Sequence, residues 1–317
     1  MRTLAMPLFA VLLAMSPAQA WNENGHKMTA EIAFNLLSAA QQQHVAAVLG
    51  AHPRFKADFA AAMPEEITRG SATAKARWMF GHASIWSDHV AKISEVVRNR
   101  YHRGTWHYIN MPVYLTGRDE AALGGKLEHN MSMRFEPPLR QDLNVVQALQ
   151  GNLRVWQDAD AADADKAVAL CWILHLTGDL HQPLHTVALF SRTYFPGGDR
   201  GGNDIRIDNI LDSNNLHAVW DGMPDGFENL LPSVSTTKIL ANDVVTLDSP
   251  VAWLRRTYQL AIQYGYTPQL KNDLQLRLAK DEAATMSLSG DYRSNAGAVA
   301  REQVIIAGHR IAALLDD

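Results

Sequence analysis

The stretch Asp163–Leu180 is apolar around most of its helical circumference, and no other feature restricts the fold as much. A helix without a polar face has to be surrounded, so amphipathic helices must pack about it. Such helices are legible elsewhere. Thr29–Leu37 carries Ile32, Ala33, Leu36 and Leu37 on one stripe, and Leu143–Trp156 repeats the pattern with Val146, Leu149, Leu153 and Trp156. Val251–Tyr264 and Gly297–Leu315 read the same way. Only Asp204–Asp208 alternates like a strand. Gly124-Gly125, Pro137-Pro138, Gly197-Gly198 and Gly201-Gly202 mark loops, and there is no internal repeat or long linker. At 317 residues and 47% hydrophobic content the chain can bury a sizeable core. These observations predict an all-α, single compact multi-helix domain with at most a short β-hairpin.

The first twenty residues stand apart. Arg2, the apolar run Leu4–Met15 and the small-residue site Ala18-Gln-Ala20 read as a signal peptide over 1–20, cleaved to leave a mature domain at 21–317. The expectation is an exported protein, periplasmic or secreted, without a membrane anchor. Cleavage after Ala20 gives Trp21 a free α-amine. The formal charge of −4 argues against a protein that holds nucleic acid by bulk electrostatics. Thirteen histidines accompany a single cysteine. Cys171 lies in the apolar run Val168–Leu174 and reads as a buried core thiol.

The densest chemistry lies in His175-Leu-Thr-Gly-Asp179-Leu-His-Gln-Pro-Leu-His185. On a helix His175 and Asp179 are one turn apart on the same side, which suits a shared metal. Pro183 ends the helix and frees His185 to reach a neighbouring ion. His217 and Asp221 repeat the spacing. Further candidates are His26, close behind the expected new terminus at Trp21, Asp88 in apolar surroundings, and His107 between Trp106 and Tyr108. This mixture of imidazole and carboxylate favours zinc over magnesium or calcium. Singly each residue has a plainer alternative: a satisfied core histidine for His107, a cap or ion pair for Asp88, a surface position for His26. Their joint occurrence favours a zinc hydrolase.

The order Trp21, His26, Asp88, His107, His175-xxx-Asp179, His185, His217-xxx-Asp221, together with Gly201-Gly-Asn-Asp204, resembles the zinc-dependent single-strand-specific nucleases and 3′-nucleotidases, the type I nucleases of moulds, plants and bacteria. The resemblance spans nearly the whole mature chain. It implies the helical fold shared with zinc phospholipases C, and three zinc ions. Asp88, His107, His175 and Asp179 would hold one. The Trp21 amine and carbonyl, His26 and a bridging Asp179 would hold a second, and His185, His217 and Asp221 the third. It further implies in-line attack on phosphorus by water that the two close ions acidify and Asp88 orients. The third ion would neutralise charge on the departing oxygen, leaving a 5′-phosphate. Asn203 matches a phosphate-binding asparagine, and Tyr108 an aromatic that stacks a splayed base, with core packing as its alternative. Single-stranded nucleic acid and nucleotides are then substrates of a monomeric enzyme that forms no stable nucleic-acid complex.

Three positions depart from the pattern. Where a basic residue is expected three places after Asp88 stands Ala91, with Lys92 next as the candidate phosphate contact. Asn110 replaces a base-contacting aspartate, and the disulfides of eukaryotic members are absent. The alternative function is a zinc-dependent phospholipase C, against which stand Asp221, where those enzymes resemble one another in glutamate, and the Gly-Gly-Asn segment. A non-catalytic zinc-buffering protein would carry mobile His-rich tracts, whereas these histidines are dispersed through helical segments.

Overall fold

The computed structural model describes residues 21–210, 213–226, 249–280 and 285–316; the expected signal peptide at 1–20 lies outside the described residues. Asn22 accepts a hydrogen bond from the Gly25 amide at 3.0 Å and so starts α1 (Glu23–Leu36) well ahead of the expected Thr29. A Ser38–Gln41 capping box opens α2 (Ala39–Gly50). The short α3 (Glu65–Thr68) precedes α4 (Ala72–Ile93), which is capped by Ser71. Then come α5 (Glu95–Tyr101), α6 (Gly117–Leu123), α7 (Val145–Gln157) and α8 (Asp163–His181). The chain continues through α9 (Leu216–Asp221), α10 (Pro250–Leu260), a wide π-type turn at Ala261–Gly265, α11 (Pro268–Leu278) and α12 (Gly290–Leu314).

The apolar circumference of α8 is covered as its sequence requires: α1, α2, α4, α7, α10 and α12 pack around it. From Ala169 to His181 every residue of α8 is buried. Two apolar clusters form the core. One gathers Phe34, Phe80, Trp86, Leu149 and Leu174; the other gathers Trp21, Met28, Leu184, Val219, Trp220 and Val304. Each large side chain taken fully out of water contributes about 1.5–3 kcal/mol. Helix α1 serves both clusters, through Phe34 on one side and Ile32 on the other, and the polar site lies along this seam. Among the described residues no helix is long and apolar enough to cross a membrane.

Among the described residues four short strands tie the loops. β1 (Met111–Tyr114) pairs in parallel with β2 (Val187–Phe190), Met111 opposite Val187. This pairing, absent from the sequence reading, aligns the segments that follow His107 and His185. The expected hairpin forms from β3 (Arg206–Ile210) and β4 (Ser213–Asn215), with Arg206 opposite Asn215. It folds the Gly201–Asn203 loop back onto the start of α9, where the Leu216 amide bonds to the Ile205 carbonyl at 2.9 Å.

Candidate metal centre

Four helices and two turns bring the charged residues together. His26 comes from the first turn of α1, Asp88 from the last part of α4, and His107 from the 3-10 turn Gly104–His107. His175 and Asp179 face the same side of α8. Pro183 converts the end of that helix into the turn Pro183–Thr186, which carries His185 inward. His217 and Asp221 stand one turn apart on α9. Their ligand atoms fall into three groups: His26, His175 and Asp179; Asp88, His107 and His175; His185, His217 and Asp221.

The hydrogen bonds fix how the imidazoles point. His175 donates from Nδ1 to the Ser84 carbonyl at 2.7 Å, His185 to the His107 carbonyl at 2.6 Å, and His217 to the Gly201 carbonyl at 2.8 Å. A carbonyl only accepts, so each of these rings carries a proton on Nδ1. Each Nε2 points into the site. His175 Nε2 stands 3.4 Å from Asp179 Oδ2 and 3.6 Å from Asp88 Oδ1. His217 Nε2 stands 3.1 Å from His185 Nε2 and 3.6 Å from Asp221 Oδ2. His107 is turned the other way, with Nδ1 at 3.1 Å from Asp179 Oδ2 and 3.8 Å from Asp88 Oδ1. His26 Nε2 lies 3.4 Å from Asp179 Oδ1, its ring stacked on His175 at a centroid distance of 4.0 Å. Anchoring one imidazole nitrogen to a carbonyl while the other faces a carboxylate is the arrangement that orients metal-ligating histidines.

The electrostatics demand a cation. Asp179 is fully buried, and its Oδ1 has no hydrogen-bond partner. Burial pushes its carboxyl well above the usual range; His175 opposes the shift and Asp88 adds to it. Asp221 is pushed up for the same reason, with the Gln182 amide, 2.7 Å away, working in the opposite direction. Burial lowers the basicity of His26 strongly, helped by His175, His185 and His107, and lowers His107 as well. Buried carboxylates converging with imidazoles are costly to desolvate, and divalent metal ions offset that penalty. The donor set fits zinc, which takes nitrogen and carboxylate oxygen together.

Backbone packing makes the room. A Cβ on Gly178 would stand 2.6 Å from His26 Nδ1, so only glycine lets that ring lie against α8. Gly201, at φ 63°, would place a Cβ against the Leu184 carbonyl and 3.3 Å from His217 Nδ1. Trp21 is fully buried beside Gly25, and the neighbouring Asn22 amide bonds to the Asp221 carbonyl at 3.1 Å, which ties the segment around Trp21 to α9.

The remaining expected residues lie at varying remove. Tyr108 and Asn110, both half-buried, follow His107 directly. Asn203 is half-buried in the glycine loop and donates to the Arg200 carbonyl at 2.8 Å. Lys92 sits exposed on the last turn of α4 and makes no hydrogen bond or ion pair among the described residues. Cys171 is buried, as expected, and its thiol is pushed up by that burial.

The S1/P1 nuclease family profile matches residues 21–317, the stretch that contributes this centre. The chain belongs to the S1/P1 nuclease family. It is 26% identical to Endonuclease 1 of Arabidopsis thaliana over 67% of this chain and 56% of that protein. It is 28% identical to Nuclease S1 of Aspergillus oryzae over 47% of this chain and 53% of that protein. A 55-residue stretch is 46% identical to Endonuclease 5 of Arabidopsis thaliana, covering 17% of this chain and 16% of that protein. The chain thus spans about half the length of the first two curated relatives. In this S1/P1 family member, sequence reading missed the groups that orient the site: the carbonyls of Ser84, His107 and Gly201 behind three histidines, and the Gln182 amide behind Asp221. Gln182 stood inside the densest motif; backbone carbonyls carry no sequence signal at all.

Proposed function

We propose that the mature chain, from Trp21, is an exported zinc-dependent endonuclease that hydrolyses phosphodiester bonds of single-stranded DNA and RNA, and 3′-nucleotides, leaving 5′-phosphates. The observation that carries this reading is the convergence of three histidine–carboxylate groups, with the Nε2 atoms of three carbonyl-anchored rings aimed inward. Asp88, His107, His175 and Asp179 would hold one ion, His26, Asp179 and the Trp21 backbone a second, and His185, His217 and Asp221 the third. When bound, zinc supplies Lewis acidity, making water more acidic and neutralising charge on the phosphodiester. Asp88, the least buried of the three carboxylates, would orient the attacking water and take up its proton. The Asn203 amide would release the Arg200 carbonyl to hold a phosphate oxygen, and Lys92 would offer a charge to the flanking phosphate. Tyr108 would stack an unpaired base and Asn110 would touch its edge; base stacking on an aromatic ring contributes about 1–3 kcal/mol. A duplex does not present an unstacked base, which gives the single-strand preference.

The test is hydrolysis of single-stranded DNA, single-stranded RNA, duplex DNA and phosphatidylcholine by zinc-supplemented protein beginning at Trp21. Rapid cleavage of both single strands to 5′-phosphates is expected, with slow cleavage of the duplex. Lipid hydrolysis with inert nucleic acids would transfer the same centre to a phospholipase.

A further inference from the structure

Tyr266 is fully buried in the cluster beside α9, and its hydroxyl donates to Asp199 Oδ2 at 2.5 Å. Asp199, also fully buried, accepts the Leu189 amide on Oδ1 at 2.8 Å. Its backbone is stitched in as well, the amide to the Leu189 carbonyl at 3.0 Å and the carbonyl to the Asp204 amide at 3.1 Å. Between those anchor points the chain turns through three consecutive left-handed residues: Arg200 at φ 57°, Gly201 at 63° and Gly202 at 90°. Arg200 is not a glycine, so this conformation costs free energy and persists only where its surroundings impose it. What the loop delivers is the Gly201 carbonyl, the acceptor for His217 Nδ1.

A second chain of bonds leaves the same turn. The Gly265 carbonyl, next to Tyr266, accepts from the Tyr292 hydroxyl at 2.8 Å, and that oxygen accepts from Trp220 Nε1 at 2.9 Å. Trp220 immediately precedes Asp221. The turn at Gly265–Tyr266 therefore braces α9 twice, through Asp199 and Gly201 at His217, and through Tyr292 at Asp221. Burying a tyrosine hydroxyl against a carboxylate is an expensive way to fill space, since an apolar side chain would do so without desolvating either group. Burial indeed pushes the Asp199 carboxyl up to about 7, with the Tyr266 bond pulling against it.

We propose that Tyr266 and Tyr292 are positioning residues for the His185–His217–Asp221 group: Tyr266, through Asp199 and the Gly201 carbonyl, fixes the His217 ring, and the two tyrosines together set that group's zinc affinity independently of the other two. The proposal rests on the three-zinc nuclease reading, but the orientation of His217 does not require metal. Two measurements on the full chain separate them. In chelated protein, long-range 15N correlation spectra of histidine report which nitrogen of His217 bears the proton. Wild type should show Nδ1–H only, and Tyr266→Phe a mixture of tautomers. In zinc titration calorimetry, Tyr266→Phe and Tyr292→Phe should each weaken one equivalent tenfold or more and leave the other two within twofold. Asp199→Asn, which keeps a carbonyl acceptor, should lie between wild type and Tyr266→Phe. An unchanged His217 tautomer, or equal weakening of all three equivalents, overturns the proposal. A wild type that takes up no zinc would sink the metal reading instead, and the histidine spectrum would then decide the positioning role alone. If Tyr266→Phe does not fold, Tyr292→Phe is read in the same way for the Asp221 side.

Discussion

His185 and His217 present Nε2 to Nε2 across 3.1 Å, while each commits its Nδ1 proton to a backbone carbonyl. Two imidazole nitrogens that close, with Asp221 Oδ2 3.6 Å from His217 Nε2, form a donor set that suits one shared cation. Zinc should consequently stabilise the protein by mass action, by about 4 kcal/mol per site when free zinc exceeds the dissociation constant a thousandfold. Scanning calorimetry with chelator and with graded zinc checks this. The melting temperature is expected to rise with zinc concentration, and a melting temperature indifferent to both would remove the metal centre.

Asp179 and Asp221 are both buried carboxylates one turn after a histidine, yet they should not behave alike. Asp179 presents Oδ1 to His26 and Oδ2 to His107 and His175, so it touches two of the three groups. Asp221 stands 3.6 Å from His217, belongs only to the His185–His217 group and is held by Gln182. Asp179→Asn should therefore lower zinc content from three equivalents to one, and Asp221→Asn from three to two. Hydrolysis should fall by about a thousandfold or more in the former, as for loss of a principal electrostatic contact. Elemental analysis of dialysed protein beside single-turnover kinetics checks both. Equal zinc loss in the two variants would count against a bridging Asp179.

Much of this was legible in the sequence because helical spacing is a local rule. His175 with Asp179, and His217 with Asp221, can be paired by counting four residues, and Pro183 announces the turn that carries His185. Helix α8 could be placed at the centre because, beyond Asp163, Asp165 and Lys166 in its first turns, it is apolar around most of its circumference. Helix α4 escaped notice although it carries Asp88. Its buried stripe through Ala76, Phe80, Ala83 and Val90 is diluted by Trp78, His82 and His89, which belong to a second face. The parallel β1–β2 pairing was invisible for a different reason: it joins segments far apart in the chain, and their short apolar runs look like any other core segment. The carbonyls of Ser84, His107 and Gly201 lie beyond sequence reasoning, since every residue has one.

Outside the centre, His52 and His82 should govern acid sensitivity. Burial lowers each to about 4 from an ordinary value of 6.5, against a raising influence from Asp58. Both are neutral in the folded state where the unfolded chain would already be protonated. Their contribution is thus fully present above pH 6.5 and is lost as pH falls toward 4. The unfolded state takes up one extra proton per histidine in that window, a slope of up to about 1.4 kcal/mol per pH unit each. Urea midpoints measured between pH 7 and 4.5 should fall steeply in wild type and less steeply in the His52→Gln, His82→Gln double variant. Parallel slopes would show that other groups set the acid limit.

Trp21 carries the last prediction, because its proposed role as a ligand requires the peptide bond before it to be broken. Its side chain is fully buried, packed on Gly25 and next to Gly178, so the residue is fixed beside His26 and Asp179. Asn22 is fixed too, capping α1 and donating its amide to the Asp221 carbonyl. A residue held this firmly has its backbone nitrogen held as well. If that nitrogen is an amine it has a lone pair for zinc; if it is an amide the lone pair is delocalised into the carbonyl and is not available to the metal. Protein beginning at Trp21 should therefore bind one more zinc than protein carrying a single extra alanine before it. The extended form should lose a hundredfold or more in kcat, with its far-ultraviolet circular dichroism unchanged. Equal zinc content and equal turnover in the two forms would dismiss the amine as a ligand and leave His26 and Asp179 to hold that ion without it.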